Sequence, residues 1–262
     1  NTLIGGLAGD ALTDADFNVA IGVNALSTDT KGSRSTAIGT GALNAQNFAT
    51  TAVSYNVAVG YDAGVSVTTG TQNSLVGYNA GGALTDADFN IAIGSNALST
   101  DPLGSKSIAI GTQALNVQNF TTATDSHNIA IGYQAGVAVT TGKNNTFIGG
   151  LAGDGTDDAL GCTAVGKSAL SANCGDFNTA IGFDSNSLGT GVRNTTVGAF
   201  TIGETTASGG TNTVMGYAAG YNLTSGSNNL FLGNDAGRST SPGGTITTGS
   251  NTITLGDNSI AT

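Results

Sequence analysis

The chain of 262 residues has no tryptophan, one histidine, one methionine, two cysteines and two prolines. Each scarcity removes a class of function. His127 is the only histidine, and the many Ser and Thr residues have no base arranged beside them, so a nucleophilic triad has no support. Cys162 and Cys174 form a C-x11-C pair with no nearby histidine, a poor zinc signature. Charged residues make up 9% of the chain, against roughly 25% in ordinary soluble domains. The seven Lys and Arg residues form no cluster that would neutralise a phosphate backbone, which argues against nucleic-acid binding. No apolar run approaches the roughly 18 residues of a membrane-spanning helix. No signal-peptide pattern is visible, and a start in mid-repeat without Met reads as a processed product or a fragment.

What is abundant is glycine, with 42 residues, but without the G-X-Y period of collagen. Apolar residues reach 39%, too many for a chain that stays disordered. With so few charged residues, the surface is expected to be made mainly of Ser, Thr, Asn and Gly; the formal net charge is −10.

One phrase recurs throughout: "NVAIGVNAL" (18–26), "STAIGTGAL" (35–43), "NIAIGSNAL" (90–98) and "NIAIGYQAG" (128–136). Anchored on the glycine after the apolar pair, fifteen copies run from Gly5 through Gly22, Gly39 and Gly60 to Gly233 and Gly256. Most spacings are 17 residues, and residues 5–76 and 77–148 form two 72-residue super-repeats identical at 47 positions. Residues 149–262 carry divergent copies. Repetition at a short fixed period is the mark of a solenoid. The residue before the anchor is aliphatic in all fifteen copies, the residue four before it is Asn in eleven, and the residue three after it is Ala in twelve. The position after that Ala is mostly Gly or Leu. Columns of one residue type are what in-register parallel strands require. The expected fold is therefore all-β: a single parallel β-solenoid domain over 1–262, of about fifteen coils. Stripes of helical period are absent, and glycine disfavours helix.

Each strand is expected to cover about five residues, such as 18–22, with Val19 and Ile21 on one face and Ala20 on the other. The reading places Ile21, Ile38, Ile93, Ile110 and Ile131 in an inner stack and turns Ala20, Ala92 and their equivalents outward. A small apolar outer face implies close burial against another copy of the chain, hence a homo-oligomer. A second short strand is expected in "GVSVTTG" (64–70) and "GVAVTTG" (136–142). The Asn column is expected to form side-chain ladders. Fifteen coils at roughly 4.8 Å each predict a rod of about 70 Å.

The repeat resembles the head of YadA-type trimeric autotransporter adhesins, carried by "NVAIGVNAL", "STAIGTGAL", "SIAIGTQAL" and "TAVGKSAL". That resemblance implies a left-handed β-roll and a homotrimer. It departs from the family in its longer period, 17 against about 14, and in Asn where the family often has Ser. The strings "TTGSNTITLG" (247–256), "SGSNNLFLGNDAG" (225–237) and "TTGKNNTFIGG" (141–150) resemble tail-fibre proteins of bacteriophages, especially those of marine cyanobacteria. "NTITLGDNSIAT" (251–262) resembles the segment before a chaperone that such fibres shed after trimerisation.

Weaker constellations read as structural. His127 corresponds to Tyr55 in the preceding super-repeat, which marks a surface or turn residue. "TDADF" brings Asp14 near Asp16 and Asp86 near Asp88; such pairs suit a hard cation or glycoside hydrolysis, or a repeated polar turn. The turn is the reading adopted. Spacing alone does not decide between thiols and a disulfide at Cys162 and Cys174. No catalytic, cofactor or metal residue is assigned, and no enzyme activity or cofactor is expected. The expected function is a structural and adhesive fibre shaft in a phage tail fibre or virion appendage, supporting host-surface attachment. Its partners would be its own copies, other virion or fibre proteins, and a host glycan or protein receptor, with no nucleic acid and no membrane insertion. Its place would be the virion, otherwise the extracellular space or cell surface. A bacterial trimeric adhesin head and a polysaccharide-cleaving tailspike are the alternatives.

Overall fold

The computed structural model describes residues 1–203, 206–241 and 244–257. The last five residues of the "NTITLGDNSIAT" segment lie outside the described residues. The described residues are all-β, with no helix, and wind as a parallel β-solenoid. The chain divides into two compact units, Asn1–Tyr133 and Gln134–Thr262. In the first unit the strands Thr2–Ile4, Val19–Ile21, Thr36–Ile38, Val57–Val59, Ser74–Val76, Ile91–Ile93, Ile108–Ile110 and Ile129–Ile131 lie side by side in that order. In the second the order is Thr146–Ile148, Thr163–Val165, Thr179–Ile181, Thr195–Val197, Thr213–Met215, Leu230–Leu232 and Ile253–Leu255. All pairs are parallel and in repeat register: Val19 opposes Thr36, Ala20 opposes Ala37 and Ile21 opposes Ile38.

Each strand of the main sheet has three residues, not five: the anchor glycine leaves the extended region on one flank, and on the other the chain enters from a left-handed residue such as Phe17, φ +60°. The anchor Gly22 has φ +134°, which only glycine adopts comfortably, and a Cβ there would lie 2.6 Å from the carbonyl carbon of Gly39. Successive anchors therefore lie backbone on backbone. On the other flank the buried Asn column links coils. The Asn18 side-chain oxygen accepts the Ser35 N–H at 2.7 Å, and its amide donates to the Gly32 carbonyl at 2.8 Å. Asn56, Asn73 and Asn90 repeat both bonds. The expected Asn-to-Asn ladder is thus mostly an Asn-to-backbone ladder. Direct links, such as Asn229 Nδ2 to Asn212 Oδ1 at 3.0 Å, add to it.

The second strand expected at 64–70 and 136–142 does not form. These segments are turns closed by bonds such as Val65 N–H to the Asp62 carbonyl and Val67 N–H to the Gly64 carbonyl. Asp62 and Gly64 have left-handed φ, +52° and +59°, so an extended path is impossible there. Short second pairings occur elsewhere, between Gly32–Ser33 and Ala52–Val53, and between Gly104–Ser105 and Thr124–Asp125.

The two faces of the strand are the reverse of the expectation. Ala20, Ala37, Ala58, Ala92, Ala109, Ala130, Ala164 and Ala180 are fully buried within their own chain. Ile21, Ile38 and Ile110 are half-buried, and Ile93 and Ile131 remain 39% and 37% exposed. The reason is volume. The interior of so small a coil is filled from the turn after the strand by Leu26, Leu43, Leu98, Leu115 and Leu170, all fully buried. The strand then has room only for Ala. Where the turn supplies Gly instead, the strand can carry a large side chain: Leu75 with Gly81, Phe147 with Gly153, and Phe231 with Gly237. A Cβ on Gly81 would lie 2.7 Å from the Leu75 side chain. Large and small side chains thus share the enclosed space of each coil, as a close-packed interior requires.

Candidate functional surface

The solenoid leaves its aliphatic columns on the outside. In the first unit Ile4, Ile21, Ile38, Val59, Val76, Ile93, Ile110 and Ile131 run along the outer strand face, all exposed or half-buried. In the second, Ile148, Val165, Ile181, Val197, Met215, Leu232 and Leu255 do the same. Parallel pairing carries this column from coil to coil within each unit, so it is a continuous apolar stripe rather than scattered exposure.

Beside the anchors stand exposed aromatic rings. Tyr61 stacks on Tyr78 with centroids 5.8 Å apart and planes 13° from parallel. Phe183, Phe200 and Tyr217 form an edge-to-face series at 5.3 and 5.8 Å. Lys167 lies over Phe183, and Arg238 lies over Tyr221 while pairing with Asp235 at 2.6 Å. Two open depressions occur in the second unit, about 370 Å³ beside Thr211, Asn228 and Asn251, and about 240 Å³ beside Phe200, Tyr217 and Arg238. Neither is lined by a carboxylate, which an acid pair acting on a glycoside requires.

The residues singled out in the sequence are spread among turns. His127 is exposed with φ +50°, and its equivalent Tyr55 is exposed with φ +49°. Both sit one residue before the buried Asn column. Neighbouring Asp125 is ion-paired with Lys106, whose hydrogen bond holds the carboxyl below its usual range. Asp14 and Asp16 are exposed. Asp86 accepts the hydroxyls of Thr69 and Thr68, which lower its pKa, and Asp88 accepts the Thr71 N–H and hydroxyl. These acids tie one turn to the turn of the preceding copy. Among the described residues no three His, Cys, Asp or Glu side chains converge as a metal site. Cys162 and Cys174 are both buried, with their sulfurs 3.7 Å apart.

One polar group escaped the sequence reading. Asp29 is fully buried, and its carboxylate accepts Gln46 Nε2 at 2.6 Å and the Gly32 N–H at 2.9 Å. Gln46 also donates to Ser35 Oγ at 2.9 Å and accepts from Asn56 Nδ2 at 2.9 Å. Asp101, Gln118, Ser107 and Asn128 repeat the arrangement in the second super-repeat. Only part of a signal was present: Ser35 and Ser107 interrupt the Asn column, where Gln46 and Gln118 reach across, but nothing in the sequence marks Asp29 and Asp101 as buried. Compared with known proteins, the chain matches no family model, no curated protein and no solved structure.

Proposed function

We propose that the chain is a shaft segment of a homotrimeric fibre, borne on a phage tail fibre or similar virion appendage and supporting attachment to a host surface. The observation that carries this reading is the exposed aliphatic stripe on the outer strand face of each unit. A second copy of the chain presents the same column at the same pitch, so side chains can interdigitate coil by coil; an unrelated partner would lack that period. With 9% charged residues, the chain has little else to keep such a stripe soluble. The resemblance to the adhesin heads and tail fibres supports three copies, and the tail-fibre strings support a virion setting. The mechanism is mechanical and multivalent: backbone ladders give stiffness, and three chains multiply weak receptor contacts. The alanine face, buried within a single chain, takes no part in assembly.

Native mass measurement is the test. A trimer of the 25.5 kDa chain is expected. Ile93→Asp combined with Ile131→Asp, on the exposed face, should give folded monomers by circular dichroism, whereas Thr121→Asp in an exposed loop should leave the trimer intact. A native chain that stays monomeric at high concentration refutes the proposal.

A further inference from the structure

Four copies lack Asn in the buried column: Ser35, Ser107, Cys162 and Thr252 stand in its place. At Ser35 and Ser107 a side chain from across the core reaches back to fill the gap, with Gln46 and Gln118 each bonding the serine hydroxyl at 2.9 Å. At Cys162 the group that reaches back is Cys174. It belongs to the same inner column as Gln46, Val67, Leu84, Gln118, Val139 and Thr156, all fully buried. Cys162 keeps the backbone role of the Asn column, since its N–H donates to Asn145 Oδ1 at 2.8 Å. Its side chain meets Cys174 Sγ at 3.7 Å, and Thr156 Oγ1 lies 3.4 Å from Cys174 Sγ. The pair is buried and faces across one coil, where its counterparts make a direct cross-core link.

We propose that Cys162 and Cys174 are a modification site: a dithiol that closes to an intrachain disulfide and staples the coil across its core. The oxidant is a small-molecule disulfide of the glutathione class. The Cys174 thiolate attacks one of its sulfurs, forming a mixed disulfide and expelling one thiolate. The Cys162 thiolate then attacks the Cys174 sulfur of that mixed disulfide and expels the second. One protein S–S bond forms, the oxidant's S–S bond breaks, and the two electrons and two protons of the protein thiols end on two small thiols. The two sulfurs can exchange roles in this scheme, because the hydrogen bond between them, which lowers one thiol and raises the other, exists only in the closed coil. Cys174 is nearly inaccessible in the closed coil, so the first step takes place during folding or a local opening of the coil.

The test folds the whole chain in oxidised or in reduced glutathione and measures intact mass and free thiols in denaturant. The oxidised chain should lose two hydrogen atoms and both thiols, and melt about 5–10 °C above the reduced chain, the shift expected for closing a loop of this length. Cys162→Ser and Cys174→Val should abolish both changes. Each should fold, because Ser35 and Val67 occupy the same columns. Two thiols that survive folding in oxidised glutathione would overturn the proposal, as would disulfides only between chains on a non-reducing gel.

Discussion

A β-carbon placed on Gly153 would lie 2.6 Å from Cδ1 of Phe147, so the ring occupies the space that a leucine fills in coils such as those of Ala20 and Ala92. Ala20 with Leu26, and Ala92 with Leu98, are the complementary arrangement. Leu26 and Leu98 take left-handed φ, +53° and +50°, so the backbone at Gly153, φ +63°, can carry Leu. Phe147→Ala should cost about 3–5 kcal/mol as a cavity. Gly153→Leu alone should cost about 1–3 kcal/mol as overpacking. The double variant should recover at least about 2 kcal/mol relative to the sum. Urea unfolding of the four proteins measures this, and additive costs would show that the two positions do not share one volume.

The Asn column makes a sharper demand. Asn90 accepts the Ser107 N–H at 2.9 Å and donates to the Gly104 carbonyl at 2.9 Å, all buried. Asn90→Ala strands one backbone donor and one acceptor, and should cost about 2–4 kcal/mol. Hydrogen exchange should report it locally: the Ser107 amide loses protection first. Unchanged protection there would mean that the side chain does not hold the coils together.

Asn186 stands where Leu26 and Leu43 stand in their copies, fully buried, yet neither its amide nitrogen nor its oxygen has a hydrogen-bond partner. The strand residue opposite is Ala180, the small partner that accommodates Leu elsewhere. Asn186→Leu should therefore stabilise the second unit by about 1–2 kcal/mol, by removing an unsatisfied buried amide and filling the coil. A lower midpoint in urea would contradict this.

Asp154 supplies a pH dependence. Burial raises its pKa, opposed by a bond to the Ser171 hydroxyl, and one carboxyl oxygen is buried without a partner. The folded chain then holds this proton more tightly than the unfolded chain. Stability falls as pH rises from the ordinary Asp value of about 4 through the raised folded value, and the loss is complete above it. Asp154→Asn should thus melt higher than the native chain at pH 7 and match it near pH 3. An equal difference at both pH values would show that charge is not the cause.

The parallel solenoid, its register and the anchor glycines were legible because stacking forces equivalent residues of successive copies to meet, and identical columns are the trace of that. The polarity of the strand was not. Alternation in a three-residue strand has two phases, and Val19-Ala20-Ile21 invites the larger pair inward. The deciding signal lay between two columns: Leu75, Phe147 and Phe231 occur only where Gly81, Gly153 and Gly237 follow. Only residues sharing an enclosed space trade volume in this way. The segment at 64–70 read as a strand from its valines, but Asp62 and Gly64 in left-handed conformations turn the chain. His127 was readable as a turn from Tyr55. Asp29 was not readable as buried, since "TDTKGS" (28–33) looks like any polar loop until Gln46 is seen to reach it.

The anchors and the core obey different rules of change. A substitution at Gly22 or Gly94 collides with the backbone of the next coil, at 2.6 Å, and no second substitution can move a carbonyl that the ladder holds. A substitution at Leu75 or Gly81 collides only with a side chain, which a partner can shorten. Copies of this repeat can therefore drift in pairs through their interiors, and in length through their outer turns, while the spine has no neutral path away from glycine. The copies already show this pattern: Ala20 with Leu26 in one is Leu75 with Gly81 in another, and every anchor in both super-repeats is Gly.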